Sequence, residues 1–259
     1  MVAKIDRTGE ERLNNFGSKI VITRYGSATD IDVYFPEYDW TFKGTTYSNF
    51  KKGNVRCPYD RSVYGIGYIG EGKYKVNYEN GKQTRVYRTW YGMLRRCYDK
   101  KSLKRNPTYE DCNVSKEFHN FQNFGEWDKE NFYQIEGEVM CLHKDILIKH
   151  NRIYSPETCI FVPKTINLLF TKRQNDRGES AIGVTLHQGK CVAQCHMINP
   201  KTGKSKQEYL GRYDTQEEAF KVYKYYKEKN IKQVADYYRK QIPEILYNVL
   251  YNYEVEIDD

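Results

Sequence analysis

Val139 to Phe170, VMCLHKDILIKHNRIYSPETCIFVPKTINLLF, is the stretch that most restricts what this chain can fold into. An apolar run, Val139 to Leu142, leads into the polar group His143-Lys144-Asp145 and on to Ile146-Leu147-Ile148. The polar turn Lys149-His150-Asn151-Arg152 follows, then a second apolar run, Cys159 to Val162, that stops at Pro163. Thr165 to Phe170 carries apolar residues at helical spacing. Proline in a first helical turn loses nothing, because that N–H has no intrahelical partner anyway. The spacing therefore predicts two short strands, a loop and a helix. A plain core hairpin of this kind would leave His143 and Asp145 facing solvent or capping the loop.

The ββα outline, with His143 and Asp145 on the first strand, Asn151 in the loop and Asn167 on the helix, resembles the HNH nuclease motif. The resemblance implies a histidine that activates water and, with a second polar ligand, holds one divalent metal, while asparagines fix the loop and the histidine. Metal-assisted hydrolysis suits a phosphodiester because the cation neutralises charge on the phosphate and on the leaving oxygen. Carried onto this chain, His143, Asp145 and Asn151 are the catalytic candidates, and His143, Asp145 and Asn167 the ligands for Mg²⁺ or a similar ion. The register stays open. With Asn151 as the loop asparagine, His143 takes the base position but the motif's middle asparagine falls near Thr158. A shift of one or two residues brings Lys144 or Asp145 to the base position instead.

Charge points the same way. With 42 Lys+Arg against 34 Asp+Glu the net charge is +8, which favours polyanionic partners because Lys and Arg displace counterions from phosphates. The 25 tyrosines suit packing first and base stacking second. No apolar segment is long enough to span a bilayer. The opening MVAKIDRTGEER has no signal-peptide core, so a cytoplasmic location, in a bacterial host, is expected. The 7 cysteines show no C-x-x-C spacing, and Cys191, Cys195 and His196 alone make no convincing zinc site.

Along the chain, Ile20-Val21-Ile22, Ile31 to Phe35 and Trp40-Thr41-Phe42 alternate as strands, and Tyr47 to Gly53 reads as a helical turn closed by glycine. Lys43, Lys51, Lys52 and Arg56 could give this module a phosphate-facing edge. Gly65-Ile66-Gly67-Tyr68-Ile69-Gly70 matches G-x-G-x-x-G, yet a dinucleotide site needs that turn to open a helix. Strands at Lys73 to Tyr78 and Thr84 to Tyr87 around an Asn80-Gly81 turn are expected instead, leaving the glycines as turn and packing residues. The same letters bring to mind the GIY-YIG nucleases, whose downstream arginine and glutamate are not identifiable here. From Thr89 the period turns helical: Trp90, Met93, Leu94, Cys97 and Tyr98 share a face. Arg95, Arg96, Lys104 and Arg105 belong to the densest basic run and are candidates for backbone phosphates. Ser115 is the expected N-cap of a helix carrying Phe118, Phe121, Phe124 and Trp127, with His119 a packing or surface residue.

Trp90 to Tyr98, Asn106-Pro107, Phe118 to Trp127, Lys144 to Leu147, Asn151 and Tyr154 to Cys159 together resemble phage and prophage proteins described as HNH-like or homing-endonuclease-like. In the C-terminal part, strands Gly183–His187, Cys191–Ile198 and Gln207–Tyr213 precede a helix opened by the capping box Thr215-Gln216-Glu217-Glu218. The pattern Gly183-Val184, Tyr209 to Thr215 and Glu217-Glu218-Ala219 resembles the plant APETALA-type DNA-binding domain. That resemblance implies a three-stranded sheet in the major groove, backed by a helix. Outward residues on alternate strand positions then reach base edges: Thr185, His187, Lys190, Gln194, His196 and Arg212 are the candidate readers, with Lys204 and Lys206 on phosphates.

The expectation is an α+β protein: an N-terminal β module over 1–70, a ββα-containing core with helices over 71–171, a three-stranded antiparallel sheet plus helix over 180–245, and an acidic tail over 246–259. Lys172 to Glu179 is the expected linker. The expected function is double-stranded DNA binding with or without Mg²⁺-dependent cleavage. The alternatives are a non-catalytic regulator or a blocker of a host defence nucleoprotein, and an RNA binder; no membrane role is expected.

Overall fold

The computed structural model describes residues 5–171 and 180–257. The expected linker, Lys172 to Glu179, lies outside the described residues. The protein is mixed α+β and packs as two units, Met1–Glu130 with Arg152–Glu157, and Asn131–Asn151 with Thr158–Asp259. The borders expected at 70/71 and 171/180 do not coincide with these units.

In the first unit, β1 (Glu11–Leu13), β2 (Lys19–Ser27), β3 (Asp30–Phe35) and β4 (Trp40–Thr45) form an antiparallel sheet in that order. Period-two alternation puts Ile20, Ile22, Ile31, Val33 and Phe35 on one face, all buried with Phe50 and Val55. Helix α1 (Tyr47–Lys51) is capped by Thr46 and ends at Gly53, whose φ of +71° is the left-handed conformation that stops a helix.

Helices α2 (Arg85–Tyr98) and α3 (Lys100–Arg105) follow. The strands expected at Lys73 to Tyr78 and Thr84 to Tyr87 do not form. A single bridge, Asn77 to Gln83, spans the Asn80-Gly81 turn. Thr84 instead caps α2 by accepting from the Tyr87 amide. With no neighbouring strand to pair, Tyr87 buries on the helix beside Trp90, a tertiary gain that overrides its strand preference.

Strand β5 (Asn113–Val114) pairs in parallel with β7 (Ile153–Tyr154). The single helix expected from Ser115 is broken into α4 (Lys116–His119) and α5 (Phe121–Asn131). The glycine-rich segment fills that break: the Tyr68 amide donates to the His119 carbonyl and the Phe121 amide to the Tyr68 carbonyl, both at 2.9 Å. A Cβ on Gly67 would stand 2.4 Å from Leu94 Cδ1, and one on Gly70 would stand 2.3 Å from Asn120 Oδ1. These glycines serve packing, and no helix starts from them. Ser115 does not cap with its side chain. Its hydroxyl is buried without a hydrogen-bond partner among the described residues.

In the second unit, β6 (Met140–His143) runs antiparallel to β8 (Ile160–Pro163), pairing His143 with Ile160, and α6 (Lys164–Leu169) follows directly. Strands β9 (Val184–His187), β10 (Lys190–Ile198) and β11 (Ser205–Tyr213) form an antiparallel sheet with β10 central. Gln188 and Gly189, both at positive φ, make the tight β9–β10 turn. The capping box forms: Thr215 Oγ1 accepts from the Glu218 amide while Glu218 accepts from the Thr215 amide, opening α7 (Gln216–Tyr238). Ile231, Val234 and Ala235 of α7 join one core with Cys195, Ile166, Val162 and Leu246.

The acidic end is not a free tail. Glu244–Tyr251 is helix α8, and Val255 is buried, its amide donating to Glu228 and its carbonyl accepting from Lys224, each at 2.8 Å. Lys149, which pairs with Glu256 at 3.2 Å, holds the same segment. Among the described residues no helix is long and apolar enough to cross a membrane. The cysteines are free thiols, buried except for half-buried Cys141.

Candidate catalytic pair and candidate nucleic-acid face

His143 is the last residue of β6, and two residues later the chain turns so that Asp145 comes back beside it. The Asp145 carboxylate lies 3.1 Å from His143 Nδ1. That distance suits Nδ1–H donating to the carboxylate, while the Asp145 backbone amide also approaches Nδ1, at 3.4 Å. Nε2 has no hydrogen-bond partner among the described residues, and the ring meets Phe170 edge-on at 6.0 Å. The His143 side chain is only 12% exposed.

Lys144, an alternative base position, has a different role. It is 7% exposed, and its ammonium donates to Asp145 Oδ2 at 3.1 Å and to the Asn151 carbonyl at 3.0 Å. The Asn151 amide returns a 2.6 Å bond to the Lys144 carbonyl. These two exchanged bonds close the loop, with His150 at φ +60° making the turn. A buried ammonium holding a carboxylate is not a free base. Burial alone would raise the Asp145 pKa; His143 and Lys144 overcome that and hold the carboxyl below its usual range.

Asn167 sits in α6, and its side-chain amide makes no hydrogen bond to His143 or Asp145. A hard divalent cation takes oxygen donors, and the two Asp145 oxygens face His143 Nδ1 and the Lys144 ammonium, each at 3.1 Å. Among the described residues no three His, Cys, Asp or Glu side chains cluster as a metal site.

The C-terminal sheet places its candidates more coherently. Cys191, Ala193 and Cys195 point inward and are buried, so the intervening positions of β10 point outward. Cross-strand rows then set Thr185 beside Val192 and Arg212, His187 beside Lys190, Gln194 beside Tyr209, and His196 beside Gln207. All six candidate readers lie on this outer face. Gln207 and Tyr209 were missed, and the reason is a bulge: the register slips between Ala193 and Gln194, leaving Leu210 as the extra residue of β11. Strict alternation from Arg212 leads to Lys206; the slip turns Tyr209 and Gln207 outward instead. Tyr209 is 66% exposed.

The charges of the sheet are largely engaged, and the slip leaves Lys206 off the outer face. Lys190 pairs with Asp214, Lys206 with Glu208 at 2.9 Å, and Arg212 donates to the His187 and Gln188 carbonyls at 3.2 Å. Lys204 is exposed in the β10–β11 turn. In the first unit Arg95, Lys104 and Arg105 are exposed. Arg96 is half-buried: Nε donates to the Tyr154 hydroxyl at 3.0 Å, and its guanidinium lies over the Tyr154 and Tyr109 rings. Lys43, Lys51, Lys52 and Arg56 are exposed, Arg56 over the Phe16 ring. His119 is a packing residue, bonded to the Val114 carbonyl, and burial lowers its pKa.

Comparison with known proteins gives no match: no family model, no curated protein and no solved structure is significantly similar to this chain.

Proposed function

We propose that this chain binds double-stranded DNA through the outer face of β9–β11, as an HNH-like protein of phage type. One observation carries the reading: Thr185, His187, Lys190, Gln194, His196 and Arg212 share a single exposed sheet face. The major groove admits a β ribbon, and side chains standing off one face reach base edges there. Gln194, with its neighbour Tyr209, is the centre of the face. The test is duplex binding followed by fluorescence anisotropy across salt concentrations. Gln194→Ala with Tyr209→Ala should weaken binding about ten-fold, the size of one good base contact. Binding that ignores both changes overturns the reading.

A second reading, hydrolysis of the bound DNA, is supported by the His143–Asp145 pair. In it, Nε2 takes a proton from water while Asp145 steadies the imidazolium through Nδ1–H. A divalent metal held there would supply charge neutralisation at the phosphate. Nicking of supercoiled DNA, with Mg²⁺, Mn²⁺ or chelator, tests this reading. Cleavage should disappear in His143→Ala while binding survives. Salt-dependent binding without any nicking would favour the non-catalytic regulator, and tight capture of a host defence nucleoprotein without DNA affinity the blocker.

A further inference from the structure

The face of α7 turned away from the sheet carries charge of a different kind. The buried residues of this helix, Ala219, Tyr223, Ile231, Val234 and Tyr238, take one side. At about 100° per residue, Lys221, Tyr225, Lys229 and Lys232 fall within an arc of roughly 80° on the other side, and Arg239 and Lys240 follow the end of the helix. All are exposed. None of these five cations has a carboxylate within ion-pairing distance among the described residues, unlike Lys190 and Lys206 of the sheet. Two acids share the arc, and both are engaged: Asp236 accepts from the Tyr247 hydroxyl at 3.0 Å and Glu218 from the Thr215 amide at 3.3 Å.

The cations alternate with aromatic rings. Lys229 Nζ lies 6.0 Å from the Tyr225 ring, Lys232 Nζ 5.4 Å from Tyr251, and the Arg239 guanidinium 5.0 Å from Tyr247. Tyr247 and Tyr251 of α8 stack on each other at 5.5 Å. Tyr225 is 61% exposed and Tyr251 41%. From Lys221 to Arg239 the stripe is about 27 Å long at 1.5 Å per residue.

We propose that this stripe binds single-stranded nucleic acid, with phosphates on the unpaired lysines and arginine and bases stacked on Tyr225 and Tyr251. Duplex DNA would use the charges but hide its base faces, whereas a single strand uses both charge and ring. The proposal does not depend on the sheet face reading duplex DNA.

The full-length protein is titrated with labelled oligo(dT), oligo(U) and a duplex, and with anionic phospholipid vesicles. Tyr225→Ala should weaken single-strand binding about ten-fold, the loss of one stacked base. Lys229→Gln with Lys232→Gln should reduce the slope of log affinity against log salt by about 1.4, at roughly 0.7 per phosphate contact for a single strand. Oligo(dT) and oligo(U) distinguish DNA from RNA as the strand bound. Gln194→Ala and Tyr209→Ala should leave single-strand binding intact, so failure of the stripe and failure of the sheet are separately visible. Absence of single-strand binding, a Tyr225→Ala protein that binds as the parent does, or preference for vesicles over oligonucleotides each overturns the proposal.

Discussion

Asn230 and Ile198 exchange two hydrogen bonds: the Ile198 amide donates to Asn230 Oδ1 at 2.8 Å, and Asn230 Nδ2 donates to the Ile198 carbonyl at 2.9 Å. A side-chain amide on α7 thus completes the backbone pairing of β10 where the helix covers it. Asn230 is 2% exposed, so water cannot substitute. Asn230→Ala leaves a buried N–H and C=O unmet and should cost about 2–4 kcal/mol. Urea unfolding of the two proteins measures it; a loss within about 0.5 kcal/mol would contradict the geometry.

Ser115 tests the opposite case. As a helix cap its replacement by alanine would cost about 1 kcal/mol. Its hydroxyl is buried and unpartnered, so Ser115→Ala should be neutral or slightly stabilising. The thermal midpoint decides between the two.

Gly183 combines two demands. Its φ is +74°, and an added Cβ would stand 2.0 Å from Tyr223 Cδ2. Gly183→Ala should cost at least about 2 kcal/mol, since the left-handed backbone alone accounts for roughly 1–2. In combination with Tyr223→Leu the total should be less than the sum of the single losses, because the ring contact is charged only once.

Asp145 sets an acid limit. Its folded pKa is depressed, so its contribution is complete above the unfolded carboxylate range near about pH 4 and fades as pH falls through that range toward the lower folded pKa. The side chain is 39% exposed, which screens the effect and keeps it small. The stability gap between the parent and Asp145→Asn should therefore be present at pH 6 and narrow below pH 4 in urea titrations. A gap that widens on acidification would contradict the assignment of His143 and Lys144 as the stabilising partners.

What the sequence made legible was short-range. Ile20/Ile22 and Ile31/Val33/Phe35 announce their strands by alternation, and Thr215 and Glu218 announce α7, because partner and signal lie within a few residues. Nothing local to Arg96 announces that its Nε–H goes to Tyr154, 58 residues away. Lys144 looked like a spare base, yet its burial depends on a loop returning at Asn151. Strand alternation is enough to put Thr185, His187, Lys190, Gln194 and His196 on one face, whereas Tyr209 and Gln207 join it only because of an inserted residue that leaves no mark on hydrophobic periodicity. Of the expected catalytic group, the His143–Asp145 approach follows from adjacency in sequence; a third member on α6 needed tertiary geometry that local spacing does not carry.

The glycines at 67, 70 and 72 have one more implication. Each stands where a methyl group would strike a neighbour: Leu94 and Trp90 on α2 for the first, then Asn120 and Gln122 at the start of α5 for the others. The gap between those helices is thus gauged by a bare main chain, like a shim cut to thickness. Alanine scanning would find this thin ribbon less forgiving than the charged surfaces around it, although it touches no candidate ligand. Intolerance there would report on helix spacing rather than on cofactor binding, whatever its resemblance to a nucleotide loop.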